Sequence, residues 1–213
     1  MQAVATSVPS ASRGQRLPRS VRRAQLLVAA QEVFVEEGYH AAAMDDIADR
    51  AGVSKPVLYQ HFPGKLELYL ALLDSSCETL GQLARDAIVD AGPNGHDQVE
   101  ATIDAYFAFV SADGGAFRIV FESDLTSEPQ VRDRLDNVMM SCSEIVAEVI
   151  AHDTGLDEQR SMLLGVALTG MAQVAARHWL AQGLDVPRDE AAHLVSALAW
   201  RGLGSFPKIE GEG

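Results

Sequence analysis

An all-α fold follows from three features of the sequence. Apolar residues recur at i, i+3, i+4 and i+7 through most of the chain, and nowhere do they alternate with the two-residue period of a strand. Gly38, Gly52, Pro93-Asn94-Gly95 and Gly155 separate these periodic segments, as helix ends require. Residues 44–65, MDDIADRAGVSKPVLYQHFPGK, lay out a short helix, a tight turn, a second short helix and a turn into a third. Counted this way, about nine helices are expected.

Residues 1–18 are rich in Ser and Ala, include Pro9, Gly14 and Pro18, and are expected to form a disordered basic arm. The first helix should start near Ser20, carry Leu26, Leu27, Ala30, Val33 and Phe34 on one face, and stop at Gly38. In the next stretch Ile47, Ala48 and Ala51 give a short helix its apolar side. Gly52 supplies the left-handed residue that ends it. Ser54 is placed to cap the following helix, with Pro56 in its first turn. Leu58 and Phe62, four apart, face inward, which leaves Lys55, Val57, Tyr59 and His61 for the outside. This is the layout of a helix-turn-helix, whose second helix enters the DNA major groove. A helical hairpin with a merely solvated polar side fits the short motif as well.

A long helix should open at Lys65 and run past Leu70, Leu73, Cys77 and Leu80 towards Ala91. Val99, Ile103, Tyr106, Phe107 and Val110 mark the next, and AFRIVFES (116–123) reads as a short sixth helix. Ser127-x-x-Gln130 has the form of a capping box before the run from Val131 to Val149. Between Met162 and Ala176 only Thr169 and Gln173 are polar, so the helix over 157–182 must be buried on two sides. The helix over 188–203 is similarly wide in its apolar face. Two such helices suggest a homodimer bundle, with Leu168, Ala172, Leu194 and Leu198 as expected contacts. The other reading is a core within one subunit.

The net charge is −13. It divides unevenly: residues 1–65 carry eight basic and six acidic side chains, residues 66–213 nine and 24. A basic end suits phosphate, and an acidic body will not adhere to nucleic acid or to an anionic membrane. No secretory h-region or membrane-length apolar run is visible, so a cytoplasmic location is expected. Cys77 and Cys142 are then free thiols. No Cys/His cluster has metal spacing, and no catalytic constellation appears, so no cofactor, metal or enzyme activity is expected.

The longer string R-x-x-x-L-L-x-A-A-x-x-V-F-x-x-x-G-Y (22–39), M-x-x-I-A-x-x-A-G-V-S (44–54), L-Y-x-H-F (58–62) and K-L (65–66) resembles the DNA-binding domain of the TetR family of transcriptional regulators. Ala42 and Ala43 depart from it, standing where that family usually has hydroxyl residues, as does Gly64 in place of a Ser or Asn cap. The resemblance implies a DNA-binding domain over 19–65 and a helical effector-binding and dimerisation domain over 66–206, followed by a tail at 207–213. It implies a double-stranded DNA operator contacted by Arg19, Met44, Ser54, Lys55, Pro56, Val57, Tyr59, His61 and Lys65.

It also implies an effector pocket. Tyr106, Phe107, Val110, Phe117 and Phe121 are candidates for one side; Leu163, Val166, Ala167, Gly170, Met171 and Val174 are candidates for the other. The same residues at helical spacing would serve equally as core. GYHAAAMDDIADRAGVSKPVLYQHFPGKLELYLALL, FRIVFESDLTSEPQV and the helix over 157–182 together resemble the actinobacterial regulators of fatty acid synthase genes (FasR type). That implies a small hydrophobic effector, a long-chain acyl-CoA, and control of lipid genes. The alternatives are a repressor of an efflux or catabolic operon and a helical lipid carrier without DNA binding.

Overall fold

The structure is a computed structural model that describes residues 18–112, 125, 127–182 and 185–203. Among them the chain forms eight α-helices: α1 (Arg19–Ala41), α2 (Met44–Arg50), α3 (Lys55–His61), α4 (Lys65–Ala91), α5 (Gly95–Ser111), α6 (Pro129–Thr154), α7 (Glu158–Gln182) and α8 (Arg188–Leu203). No strand is present among the described residues. The expected short helix at 116–123, with Phe117 and Phe121, lies outside them.

Helices α1 to α3 form a small head. Leu26, Ala30, Val33 and Phe34 of α1 meet Ile47 and Ala48 of α2 and Leu58 of α3, all buried. Gly38 breaks α1 with φ 77°, and Gly52 turns α2 into α3 with φ 65°. At Gly38 a side chain would be strained by the backbone itself. Ser54 holds the N-cap position, but its side chain makes no capping bond. The head is cross-braced by polar groups instead. Arg50 reaches back from α2 to Glu36 (2.7 and 3.1 Å) and Glu32 (3.2 Å) on α1, and Gln25 Nε2 donates to the Ala51 carbonyl (2.8 Å).

Helix α4 leaves the head and enters the body. Its first half packs on α1 through Leu68, Tyr69, Leu72 and Leu73; further along it packs on α5 and α6. Phe34, Tyr39 and Tyr69 form an aromatic cluster at the junction, with centroids 5.2 to 5.8 Å apart. Asn94 caps α5 by accepting from the His96 N–H (3.0 Å). Helix α6 begins one residue later than a Ser127 cap requires. Glu128 stands at the N-cap without a side-chain bond, and the Ser127 carbonyl accepts from Arg132 instead. Helices α6 and α7 lie against each other along most of their length, and α8 closes the body against α5 and α7.

The close approach of α6 and α7 has a local cause. A Cβ on Gly165 would overlap the Ser143 carbonyl and meet Ala147 Cβ at 3.1 Å. Only a glycine lets the two backbones touch there. No helix among the described residues is long and apolar enough to cross a membrane.

Candidate nucleic-acid interface and interior cavity

Helix α3 presents its outer side to solvent. Ser54, Lys55, Pro56 and Tyr59 are exposed, Val57 and His61 partly so. Tyr59 is 48 % exposed while its neighbour Leu58 is wholly buried. The inward pair Leu58 and Phe62 therefore fixes which side chains point out. Lys55 pairs with Asp45 of α2, and that hydrogen bond raises its pKa. At the other end of α3, His61 lies beside the start of α1. Partial burial, then Arg19, Arg23 and Arg22, hold its imidazole below the usual value. Arg23 lies over the Phe62 ring at 4.3 Å.

This cluster brings α1 arginines and the α3 reading face to one edge of the head. A row of guanidinium groups flanking an exposed helix is what phosphate and base-edge contacts require. Arg19 was a candidate from the sequence; Arg22 and Arg23 lie near the same end of α3, and Gln60 is exposed on that helix, although the sequence did not single them out. The excess of arginine over acid in the first thirty residues was the available signal for Arg22 and Arg23. Gln60 is exposed on the same helix and carries the amide that suits adenine.

Two expected DNA contacts are placed elsewhere. Met44 is buried in the head core, because the first turn of α2 packs on α1. Lys65 faces inward. Its ammonium donates to the carbonyls of Tyr39 (2.7 Å), His40 (3.2 Å) and Ala42 (2.8 Å) and lies 4.6 Å from the Tyr39 ring centroid. The last carbonyls of α1 have no helical partners of their own, and a cation at a helix C-terminus is favoured there. All three N–H donors of Lys65 are thus accounted for within the protein. Lys65 ties α4 to the head rather than offering a charge to phosphate.

Among the described residues, an apolar cavity of about 90 Å³, partly open to solvent, lies between α4, α5, α6 and α7. Leu80, Leu83, Ala84 and Ile88 line it from α4; Met139, Cys142, Val146 and Ile150 line it from α6. Gln98, Thr102 and Tyr106 come from α5, and Leu168, Thr169 and Ala172 from α7. Burial raises the pKa of the Tyr106 phenol and of the Cys142 thiol, and pushes Cys77 up to about 12. Both cysteines are free and remain protonated near neutral pH.

Of the described pocket candidates only Tyr106 lines the cavity. Phe107 is turned away onto Trp179 (5.7 Å), and Val110 is buried elsewhere in the core. Gly170 and Met171 are partly buried off the wall. Leu163 (70 % exposed), Val166, Ala167 and Val174 (68 %) lie on the outside of α7. Leu168 and Ala172, expected at a dimer interface, line the cavity instead. The expected phase of α7 is therefore inverted. Leu194 and Leu198, the other two expected interface residues, are exposed on α8.

Residues 26–72 match the profile of bacterial regulatory proteins of the tetR family. The chain is 44 % identical over 195 residues to the HTH-type transcriptional activator FasR of Mycolicibacterium smegmatis, covering 92 % of this chain and 89 % of that one. A crystal structure of a TetR-like transcriptional regulator from Rhodococcus sp. RHA1 is 29 % identical, with a TM-score of 0.66 over 89 % of this chain and 100 % of its own. The transcriptional regulator FadR of Bacillus subtilis, solved in complex with stearoyl-CoA, shares the fold at 20 % identity. Its TM-score is 0.68, over 83 % of this chain and 96 % of that one.

Proposed function

The chain belongs to the TetR family of transcriptional regulators and is not an enzyme, and from that premise we propose a homodimeric, ligand-responsive activity acting on lipid metabolism genes. The effector is a long-chain acyl-CoA or a similar hydrophobic molecule. In this reading Ser54, Lys55, Pro56, Val57, Tyr59 and His61 meet the operator, with Arg19, Arg22 and Arg23 on its phosphates. The outer face of α7 (Leu163, Val166, Ala167, Val174), together with Leu194 and Leu198 of α8, meets a second copy.

One observation carries the proposal: the cavity and the head share α4. Leu80 on the cavity wall lies fifteen residues along α4 from Lys65, about 22 Å at the helical rise. The cavity is smaller than the 150 Å³ that takes up a benzene ring, so a long chain is accommodated by displacing its walls, of which α4 is one. Each methylene buried returns roughly 0.8 kcal/mol, and a dozen would outweigh a wall displacement costing several kcal/mol. Because Lys65 and the aromatic cluster clamp α4 to the head, that displacement tilts the reading helix. In a dimer it changes the spacing between two heads and their fit to paired half-sites.

Melting the protein with increasing stearoyl-CoA, and measuring binding to fragments selected from genomic DNA with and without it, tests the reading. The melting temperature should rise with ligand concentration and the DNA affinity should change. Sedimentation should give twice the 22.9 kDa chain mass. A flat melting temperature together with unaltered DNA affinity refutes the effector assignment.

A further inference from the structure

Thr169 lines the cavity, and its hydroxyl oxygen is shut off from solvent with no hydrogen-bond partner among the described residues. Helical threonines usually avoid this by donating to the carbonyl four residues back. Thr79, Thr102 and Thr154 do so, to Ser75 (2.9 Å), Gln98 (2.7 Å) and Ile150 (2.6 Å). Thr169 makes no such bond to Gly165. Like Thr79 and Thr102 it lies inside a helix, yet its hydroxyl leaves the usual carbonyl unused.

The surroundings sharpen the point. Gly165, one turn earlier, seats α7 against the α6 backbone and fixes the height of Thr169. Leu168 and Ala172 flank it on α7, while Met139, Cys142 and Val146 line the cavity from α6. Of the other polar wall residues, Gln98 donates to the Gly92 carbonyl (2.6 Å), Thr102 is bonded as above, and Tyr106 brings a phenol to the wall from α5. A buried hydroxyl left unpaired costs stability that a ligand can restore by accepting from it. A bare hydrocarbon cannot do this. A carbonyl oxygen, which accepts without bringing a donor that must itself be satisfied, is the simplest match.

We propose that Thr169 reads a carbonyl oxygen on an otherwise apolar effector, so that the cavity selects an acyl thioester over the corresponding alkyl thioether. This rests on the reading of the cavity as the effector site. It names the chemistry that site recognises.

The test uses the full-length protein and two probes, stearoyl-CoA and S-octadecyl-CoA, which differ only by the thioester carbonyl. Wild type should bind the thioester roughly three- to tenfold tighter, the worth of one neutral hydrogen bond. Thr169→Val, which keeps the side-chain shape, should bind both probes alike and melt higher without ligand, because the unpaired hydroxyl is gone. Thr169→Ser should keep the preference. A structural role alone would shift both probes together in each variant. Equal binding of the probes by wild type, or a preference that survives in Thr169→Val, overturns the inference and leaves the effector site standing. If neither probe binds wild type, the effector reading falls and this inference falls with it.

Discussion

The head and the body use the same element, the α-helix, to opposite ends. In the head Leu26, Ile47 and Leu58 are fully buried, and Arg50, Gln25 and Lys65 brace one helix to the next. The body keeps a cavity, an unpaired hydroxyl at Thr169 and large apolar side chains facing out, among them Leu163 at 70 % exposure. A close-packed unit moves as a whole, whereas a cavity-bearing one deforms where packing is weakest. A regulator needs that division. In the proposed reading the head keeps its shape while the body sets where it stands.

The largest test compares one substitution in each region. Leu58→Ala should cost about 3–5 kcal/mol, since the close-packed head cannot collapse around the void. Leu83→Ala, at a half-exposed position on the cavity wall, should cost about 1 kcal/mol or less. Urea unfolding of both variants at matched slopes measures the difference. Equal costs would erase the contrast between the regions.

Lys65 tests the joint between them. Lys65→Met keeps the stem but removes three bonds to carbonyls. Stability should fall by about 1.5–3 kcal/mol, as expected for bonds to a charged donor. The salt dependence of DNA binding should not change. A residue on phosphate would give the reverse pattern, a stable protein whose salt slope drops by about one unit.

Tyr59→Ala addresses the reading face alone. Because Leu58 and Phe62 carry the packing of α3, the variant should melt as wild type does. Operator affinity should nonetheless fall by about 1–3 kcal/mol, while binding to unrelated DNA barely moves. A lowered melting temperature would show that Tyr59 belongs to the core.

How much of this could be read beforehand differs between the regions. The head was legible because its elements are short and strongly punctuated: Gly52 and Pro56 set the boundaries, and the Leu58–Phe62 pair set the phase. What the sequence lacked was direction for flexible groups. Nothing in a lysine at a helix start says whether it turns to phosphate or, as Lys65 does, to Tyr39, His40 and Ala42. The body was legible as helices but not as faces. Helix α7 is apolar nearly all round, so its pattern carries no phase, and Leu163 and Leu168 were interchangeable on the page. Only the Gly165 contact with α6, a tertiary fact, decides which of them looks into the cavity.

The smallest expected effect bears on the edge where α1 meets α3. His61 is held below its usual value of 6.5, first by partial burial and then by Arg19, Arg23 and Arg22. In the free protein it is neutral at pH 7. In the unfolded chain it protonates earlier as pH falls, so His61 should lower stability on acidification below about 6.5. DNA reverses the sign. A phosphate beside the imidazole favours the charged form, so binding takes up a proton and affinity should rise as pH drops through that window. The gain grows with how far the phosphate raises the imidazole pKa. His61→Gln should flatten both trends, and the difference between variant and wild type isolates this group from other titrating residues. Melting temperatures and dissociation constants between pH 7.5 and 5.5 provide the two curves. If His61 makes them move in the same direction, it does not face the phosphates, and the arginine-flanked edge of the head is not the DNA side.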